Sequence, residues 1–316
     1  MTETDGINAE IICIDDCSSD DSWKVLNKIC AENPVCICYQ NEKNKGVSYT
    51  RNRALNLARG KYIWFVDPDD ILCPGVVTCF LEKAYKEKAD VVLGNYARVQ
   101  EDFSIKNAGF YRPSAIEFKK SEEVVLPEDS TGTVMCAIWC GIFQTEFLLN
   151  NQLFFREDMI AQEDTLFYYE FEQRYPLILK TDAVCYLYRQ RATSVMHQKS
   201  EARMQKYYRS MRIMLDVYND YWCKKTYRDK AVLQNKILHS HENVCSCLAK
   251  CTDESFVREN FRELKKIGYY PYHFRTETLK RKGSKISAVF DFLLPIEFCF
   301  WMVHFIYALV NKKRFI

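Results

Sequence analysis

The sequence has almost no charge imbalance: 44 Lys and Arg against 42 Asp and Glu leave a formal net charge of +2 over 316 residues. Such a chain has no electrostatic footprint for nucleic acid. It lacks any pair of Cys-x-x-Cys elements at zinc-finger spacing, and Cys36/Cys38 and Cys245/Cys247 stand too close for a zinc knuckle. The fifteen cysteines therefore read as reduced, mostly buried thiols of a cytosolic protein. The first six residues, Met1 to Gly6, are polar and acidic, so the expectation is that they are no signal peptide. A clean membrane span is also missing. The longest apolar run, Ile286 to Val310, is broken by Asp291, Pro295, Glu297 and His304.

What is present is ordinary globular composition, 48% hydrophobic and 27% charged, with length for one large α/β domain plus appendages or for two domains. The 20 Tyr, 20 Phe and 5 Trp permit a large core or a sugar-binding surface. Tyr62 to Val66 is an unbroken β-branched and aromatic run, preceded by Gly60 and closed by Pro68, so it reads as a buried strand. It delivers Asp67, Asp69 and Asp70 to one sheet edge. Crowded carboxylates raise one another's pKa unless a cation sits between them, and hard oxygens suit Mg²⁺ or Mn²⁺ gripping a phosphate.

Glu10 to Ile14 reads as a second short strand, ending in Asp15-Asp16-Cys17-Ser18-Ser19-Asp20. Trp23, Val25, Leu26 and Ile29 then follow helical spacing, and Val35 to Tyr39 reads as a strand, which predicts a parallel β–α–β unit. Ligands in such sheets bind beyond the carboxyl ends of the strands, so two acidic strand ends mark a site. Between them a helix through Val47, Arg51, Ala54, Leu55 and Ala58 carries Arg51 and Arg53, able to pair with a diphosphate or with the aspartates. Ile71 to Lys88 reads as a helix, Ala89 to Tyr96 as a strand, and residues 97–128 as a polar loop over the site. Trp139 lies within Val134 to Leu149, and Glu163-Asp164 opens a helix favoured by the macrodipole. A strand at Val184 to Arg189 leads to Ser194-Val195-Met196-His197, and Ser200 to about Lys266 is amphipathic helix. In the tail, Glu297, His304 and Asn311 form one narrow polar stripe. The expectation is a helix lying in a membrane interface, Lys312-Lys313-Arg314 meeting anionic lipid, or docked on a partner; packing on the chain's own core is the alternative.

With these pieces in order, residues 8 to 200 resemble the family 2 glycosyltransferases of bacterial cell-surface polysaccharide synthesis. The resemblance implies the GT-A fold, an α/β class with a Rossmann-like mixed sheet flanked by helices and a helical C-terminal region. The expected domains are 1–200 for the transferase, 201–285 for a helical extension and 286–316 for the apolar tail. Carried over residue by residue, Asp15 or Asp16 would hold the uracil or ribose, and Arg51 would approach the base or diphosphate. Asp67 would touch the nucleoside side, and Asp69 would coordinate Mn²⁺ or Mg²⁺, with His197 completing metal or diphosphate binding. Asp164 would be the general base, Glu163 would support it or cap its helix, and Trp139 would stack on the acceptor sugar. The implied activity is inverting, metal-dependent transfer from a UDP-sugar to a glycan or lipid-linked acceptor, at the inner face of the cell membrane.

Two features depart from the family pattern. Only nine residues precede Glu10, where relatives carry a further βα unit; the expectation is that Met1 is an internal methionine, the alternative a truncated, non-catalytic nucleotide-binding remnant or partner protein. Cys140-Gly141-Ile142-Phe143 replaces polar and basic residues, which bears on the acceptor site. A Mg²⁺-dependent phosphohydrolase using Asp67 and Asp69 is the rival enzyme reading, and the second acidic strand end and Glu163-Asp164 argue against it.

Overall fold

The structure, a computed structural model, describes residues 7–99, 119–120, 137–190, 200–271 and 296–312. It divides into two compact units. One comprises residues 1–126, 136–157 and 163–194; the other comprises 127–135, 158–162 and 195–316.

The first unit opens with β1 (Ile11–Asp15), α1 (Ser22–Glu32) and β2 (Cys36–Gln40), and β1 and β2 pair in parallel with Ile11 opposite Cys36 and Asp15 opposite Gln40. This is the expected β–α–β unit. Helix α2 (Val47–Leu57) then leads to β3 (Tyr62–Trp64), which belongs to a different sheet. The two acidic strand ends therefore lie on two sheets, a correction to the single sheet edge read from the sequence. They are tied through Glu10, whose carboxylate accepts from the Arg59 and Gly60 amides and pairs with the Arg59 guanidinium.

The second sheet has six strands in the order β3-β7-β5-β8-β4, with β6 also on β8. These are β4 (Ile71–Leu72), β5 (Val91–Val99), β6 (Lys119–Lys120), β7 (Gly141–Gln144) and β8 (Ile178–Arg189). Only β5 and β8 pair in parallel, so the sheet is mixed. Helices α3 (Val76–Glu87), α4 (Thr145–Asn150) and α5 (Glu163–Glu172) complete the unit. Ile71 and Leu72 had read as the start of α3, but they join β8, and Gly75 in the left-handed region sets the helix start at Val76. Both residues are apolar and too few for a period, so pattern alone cannot tell strand from helix there.

The core gathers on the antiparallel β5–β7 pair and α5: Val91, Val92, Ile142, Phe143, Phe167 and Phe171 are all essentially inaccessible. Phe155 stacks on Phe167 at 4.2 Å and Trp64 on Phe80 at 5.3 Å. Gly141 is what lets the strands close, because a Cβ there would stand 2.1 Å from the Val92 carbonyl oxygen.

The second unit is helical among the described residues: α6 (Glu201–Lys224), α7 (Lys230–Lys250), α8 (Glu254–Lys266) and α9 (Glu297–Lys312). The long amphipathic stretch thus breaks twice. Asp229 and Asp253 cap the new helices, each accepting from two backbone amides of the first turn. Tyr208, Met211, Leu215, Tyr218, Leu248 and Phe261 form its interior.

Gly141→Ala is expected to destabilise the first unit by about 1–3 kcal/mol, since backbone rather than a flexible side chain must yield. Urea unfolding followed by tryptophan fluorescence measures it; an unchanged midpoint would contradict the close approach of β5 and β7.

Candidate active site

Arg51 projects from the second turn of α2 and joins two carboxylates from distant parts of the chain. Its Nη2 donates to Asp67 Oδ1 at 3.1 Å and its Nη1 donates to Glu163 Oε1 at 3.1 Å. The Arg51 side chain is 13% exposed, and its guanidinium lies over the Phe155 ring at 5.4 Å. The next residue, Asn52, fixes the helix in rotation. Its Nδ2 donates to the Phe155 carbonyl at 2.9 Å, and its Oδ1 accepts from the Phe155 amide at 2.8 Å. Asn52 went unnoticed in the sequence, where only its arginine neighbours drew attention.

Glu163 and Asp164 open α5, and both carboxyls are pushed above the usual carboxylate range. Burial is the main cause for each; for Glu163 the adjacent Asp164 charge adds to it, and Arg51 opposes the shift in both. Asp164 keeps part of its surface accessible, and its Oδ1 accepts from the Thr165 amide at 2.7 Å.

The acidic turn after β3 is held from β8. The Tyr186 hydroxyl accepts from the Asp67 amide at 3.1 Å, and Asp70 Oδ1 accepts from the Arg189 amide at 2.8 Å. Burial pushes the Asp70 carboxyl up, against the Arg189 amide and the Tyr186 hydroxyl that pull it down. Asp70 is thus an anchor, while Asp67 and Asp69 are both partly exposed. Tyr186 was legible only as one of two tyrosines, with Tyr188, on the same face of a strand.

Two expectations, for Trp139 and Arg53, are revised, and Asp15 and Asp16 gain partners the sequence did not show. Trp139 lies in a 3₁₀ turn (Ile138–Cys140) and is 8% exposed, stacked on Tyr186 at 4.5 Å and Tyr188 at 5.4 Å with Tyr96 edge-on. It is a core residue rather than an open platform for an acceptor sugar. Arg53 donates to the Gln40 carbonyl and to Asn41 Oδ1, holding the end of β2. Asp15 and Asp16 also hold their own loop. Asp15 Oδ2 accepts from the Ser18 amide and Gln40 Nε2, and Asp16 accepts from the Lys45 and Gly46 amides and Asn41 Nδ2. Burial raises the Asp15 carboxyl, but the bonds from Ser18 and Gln40 outweigh it and hold it below its ordinary value. His197 lies outside the described residues.

Among the described residues no three His, Cys, Asp or Glu side chains are set to hold a metal by themselves. Asp67 and Asp69 offer hard oxygens, and a Mg²⁺ or Mn²⁺ site of one or two carboxylates completed by substrate phosphate fits them. The set does not suit zinc, which wants nitrogen or sulfur ligands.

Residues 2–141 match the family model for glycosyl transferase family 2. UDP-Glc:alpha-D-GlcNAc-diphosphoundecaprenol beta-1,3-glucosyltransferase WfaP of Escherichia coli is 36% identical over 111 residues, 35% of this chain and 43% of that protein. The chain therefore spans less than half of that relative. The uncharacterized glycosyltransferase YibD of Escherichia coli strain K12 is 25% identical over 259 residues, 77% of this chain and 72% of that one. Among solved structures, S. aureus TarS 1-349 in complex with UDP-GlcNAc superposes with a TM-score of 0.52 at 19% identity, covering 91% of this chain and 72% of that one. At that identity the likeness shows the fold, an α/β mixed sheet flanked by helices. Residues 2–141 are thus similar in sequence to glycosyl transferase family 2, and the likeness to TarS shows the α/β fold.

Proposed function

We propose that the chain is an inverting, metal-dependent glycosyltransferase moving a sugar from a UDP-sugar to a glycan or lipid-linked acceptor at the cytoplasmic face of a membrane. The observation that carries this reading is the Arg51 fork, which brings the Asp67 turn and the Glu163-Asp164 pair to one guanidinium. UDP-linked donors and a diphosphoundecaprenol-linked acceptor, named for the relatives above, support the choice of substrates.

Cleaving the bond between anomeric carbon and phosphate leaves negative charge on the departing diphosphate. Asp69, with Asp67, would hold a Mn²⁺ or Mg²⁺ ion, which supplies Lewis-acid neutralisation of that charge. Arg51 adds a fixed positive charge on the same side. Asp164 takes the proton of the acceptor hydroxyl as it attacks, and burial makes it a stronger base than an exposed carboxylate. A single displacement without an enzyme nucleophile inverts the anomeric centre. Glu163 holds Arg51 in place, so its role is positioning. The loop of Asp15 and Asp16, closed by its own hydrogen bonds, would meet the uridine with the acceptor capacity left over.

Calorimetric titration of UDP is expected to show binding that requires both Mn²⁺ and Asp69, with Asp69→Ala or a chelator abolishing it. Equal binding in chelator would overturn the metal-dependent reading.

Asp164→Asn is expected to lower transfer by roughly 10²–10⁴-fold while leaving UDP affinity unchanged. In the wild type, kcat/KM should fall as pH drops through a pKa above the usual carboxylate range, because the base must be unprotonated. The same shift carries a stability cost of opposite sense. An acid whose folded pKa is raised binds its proton more tightly when folded, so its destabilising effect grows as pH rises past its unfolded pKa. Asp164→Asn should therefore raise Tm at pH 8 while destroying activity; a lowered Tm would argue that the carboxylate is structural.

A further inference from the structure

Helix α9 is apolar on its outer side as well as on its docked side. On the docked side His304 is 7% exposed with Nδ1 3.3 Å from the Ala249 carbonyl oxygen of α7, and Glu297, at the start of the helix and half exposed, pairs with Lys265 of α8 at 2.8 Å. Phe300 on the same side is buried against Phe261 at 4.4 Å, and Trp301 meets Phe261 edge-on at 5.2 Å. At about 100° per residue, Phe298, Met302, Phe305 and Ile306 fall together in one arc on the opposite side. They are exposed, Phe298 to 76% and Phe305 to 63%. A surface helix bathed in water ordinarily presents polar residues on its outward face. Of the stripe foreseen through Glu297, His304 and Asn311, His304 lies on the docked face and Glu297 reaches Lys265, the Asn311 side chain lies outside the described residues, and apolar side chains remain outside.

Charge identifies the occupant. In sequence the basic run Lys312-Lys313-Arg314 closes the segment. The neighbouring α8 exposes Arg262 and Lys266, and of the acids on α8 and α9, Glu254 pairs with Arg258, Glu263 with Arg212 and Glu297 with Lys265, while Glu259 is exposed. An exposed apolar stripe on a helix followed in sequence by a basic run matches the boundary between acyl chains and anionic headgroups. No helix among the described residues is long and apolar enough to cross a membrane, so α9 would lie in the interface plane. We propose that the outer face of α9, centred on Phe298, Met302, Phe305 and Ile306, docks on an anionic lipid bilayer. The inference deepens the proposed function, on which it rests for the lipid-linked acceptor.

Flotation of the full chain with vesicles tests it, using phosphatidylcholine alone and phosphatidylcholine mixed with phosphatidylglycerol. The wild type is expected to float with the mixed vesicles, less at high salt, and the Phe298→Ser/Phe305→Ser variant to lose roughly tenfold or more in partitioning. Both positions are exposed, so circular dichroism and UDP binding should be unchanged in the variant. A wild type that ignores both vesicle types, or a double variant that floats as well as wild type, would overturn the assignment. So would self-association that the double variant abolishes in a chain that binds no vesicles, since the face would then be a contact between copies. Vesicle binding that persists in a chain unable to bind UDP would strike the transferase reading and leave this surface standing.

Discussion

The site depends on one guanidinium shared between two carboxylates. Arg51 reaches Asp67 and Glu163 with separate nitrogens at equal distances, a task for a rigid planar fork that a lysine ammonium could not perform in the same way. Burying an ion is costly unless it is paired, and removing one partner of such a group leaves the other uncompensated. The placement of the Asp67 turn, of α2 and of the start of α5 is therefore one problem with one solution. Charge also remains to be balanced. Asp67, Glu163 and Asp164 surround a single arginine, so full ionisation would leave an excess of two negative charges. The raised pKa values of Glu163 and Asp164 are one response to that excess. A divalent cation brought in with a diphosphate is another.

Around this joint the fold supplies stiffness. Strand β8 holds the acidic turn twice, through the Tyr186 hydroxyl and the Arg189 amide, and it does so from an interior position between β5 and β4. Gly141 lets β5 and β7 approach closely enough to seal the core behind Trp139. Trp139 in turn packs on Tyr186, so its contribution to the site is to brace the tyrosine that positions Asp67. Asn52 sets the rotation of α2 against Phe155, whose ring lies under Arg51. Each of these is a short-range contact whose effect is felt at the same few carboxylates.

The parts legible in the sequence were those with a strong local signature. The Asp67 turn, the β1–α1–β2 unit and the acidic opening of α5 follow from periodicity, turn residues and the helix dipole. Less legible were assignments that depend on what comes from far away in the chain. Ile71 and Leu72 are strand because β8 pairs with them, and no local rule distinguishes them from helix. Trp139 could stack on a sugar or pack in a core, and only Tyr186 and Tyr188 across the sheet decide it. Asp15 and Asp16 look available in sequence, yet Gln40, Lys45 and Gly46 occupy much of their hydrogen-bonding capacity. The polar stripe of α9 was visible, but which side it faced depended on Ala249 and Lys265.

The central claim is that Arg51 and Glu163 act as one unit, and a double-mutant cycle with Arg51→Met and Glu163→Gln tests it most directly. Unfolding free energies from urea titration at neutral pH give the coupling between them. A largely buried, shared fork predicts a coupling of about 1–3 kcal/mol, above the level of exposed ion pairs. Additive effects would contradict the account, because the guanidinium would then not be what holds α2 and the start of α5 together.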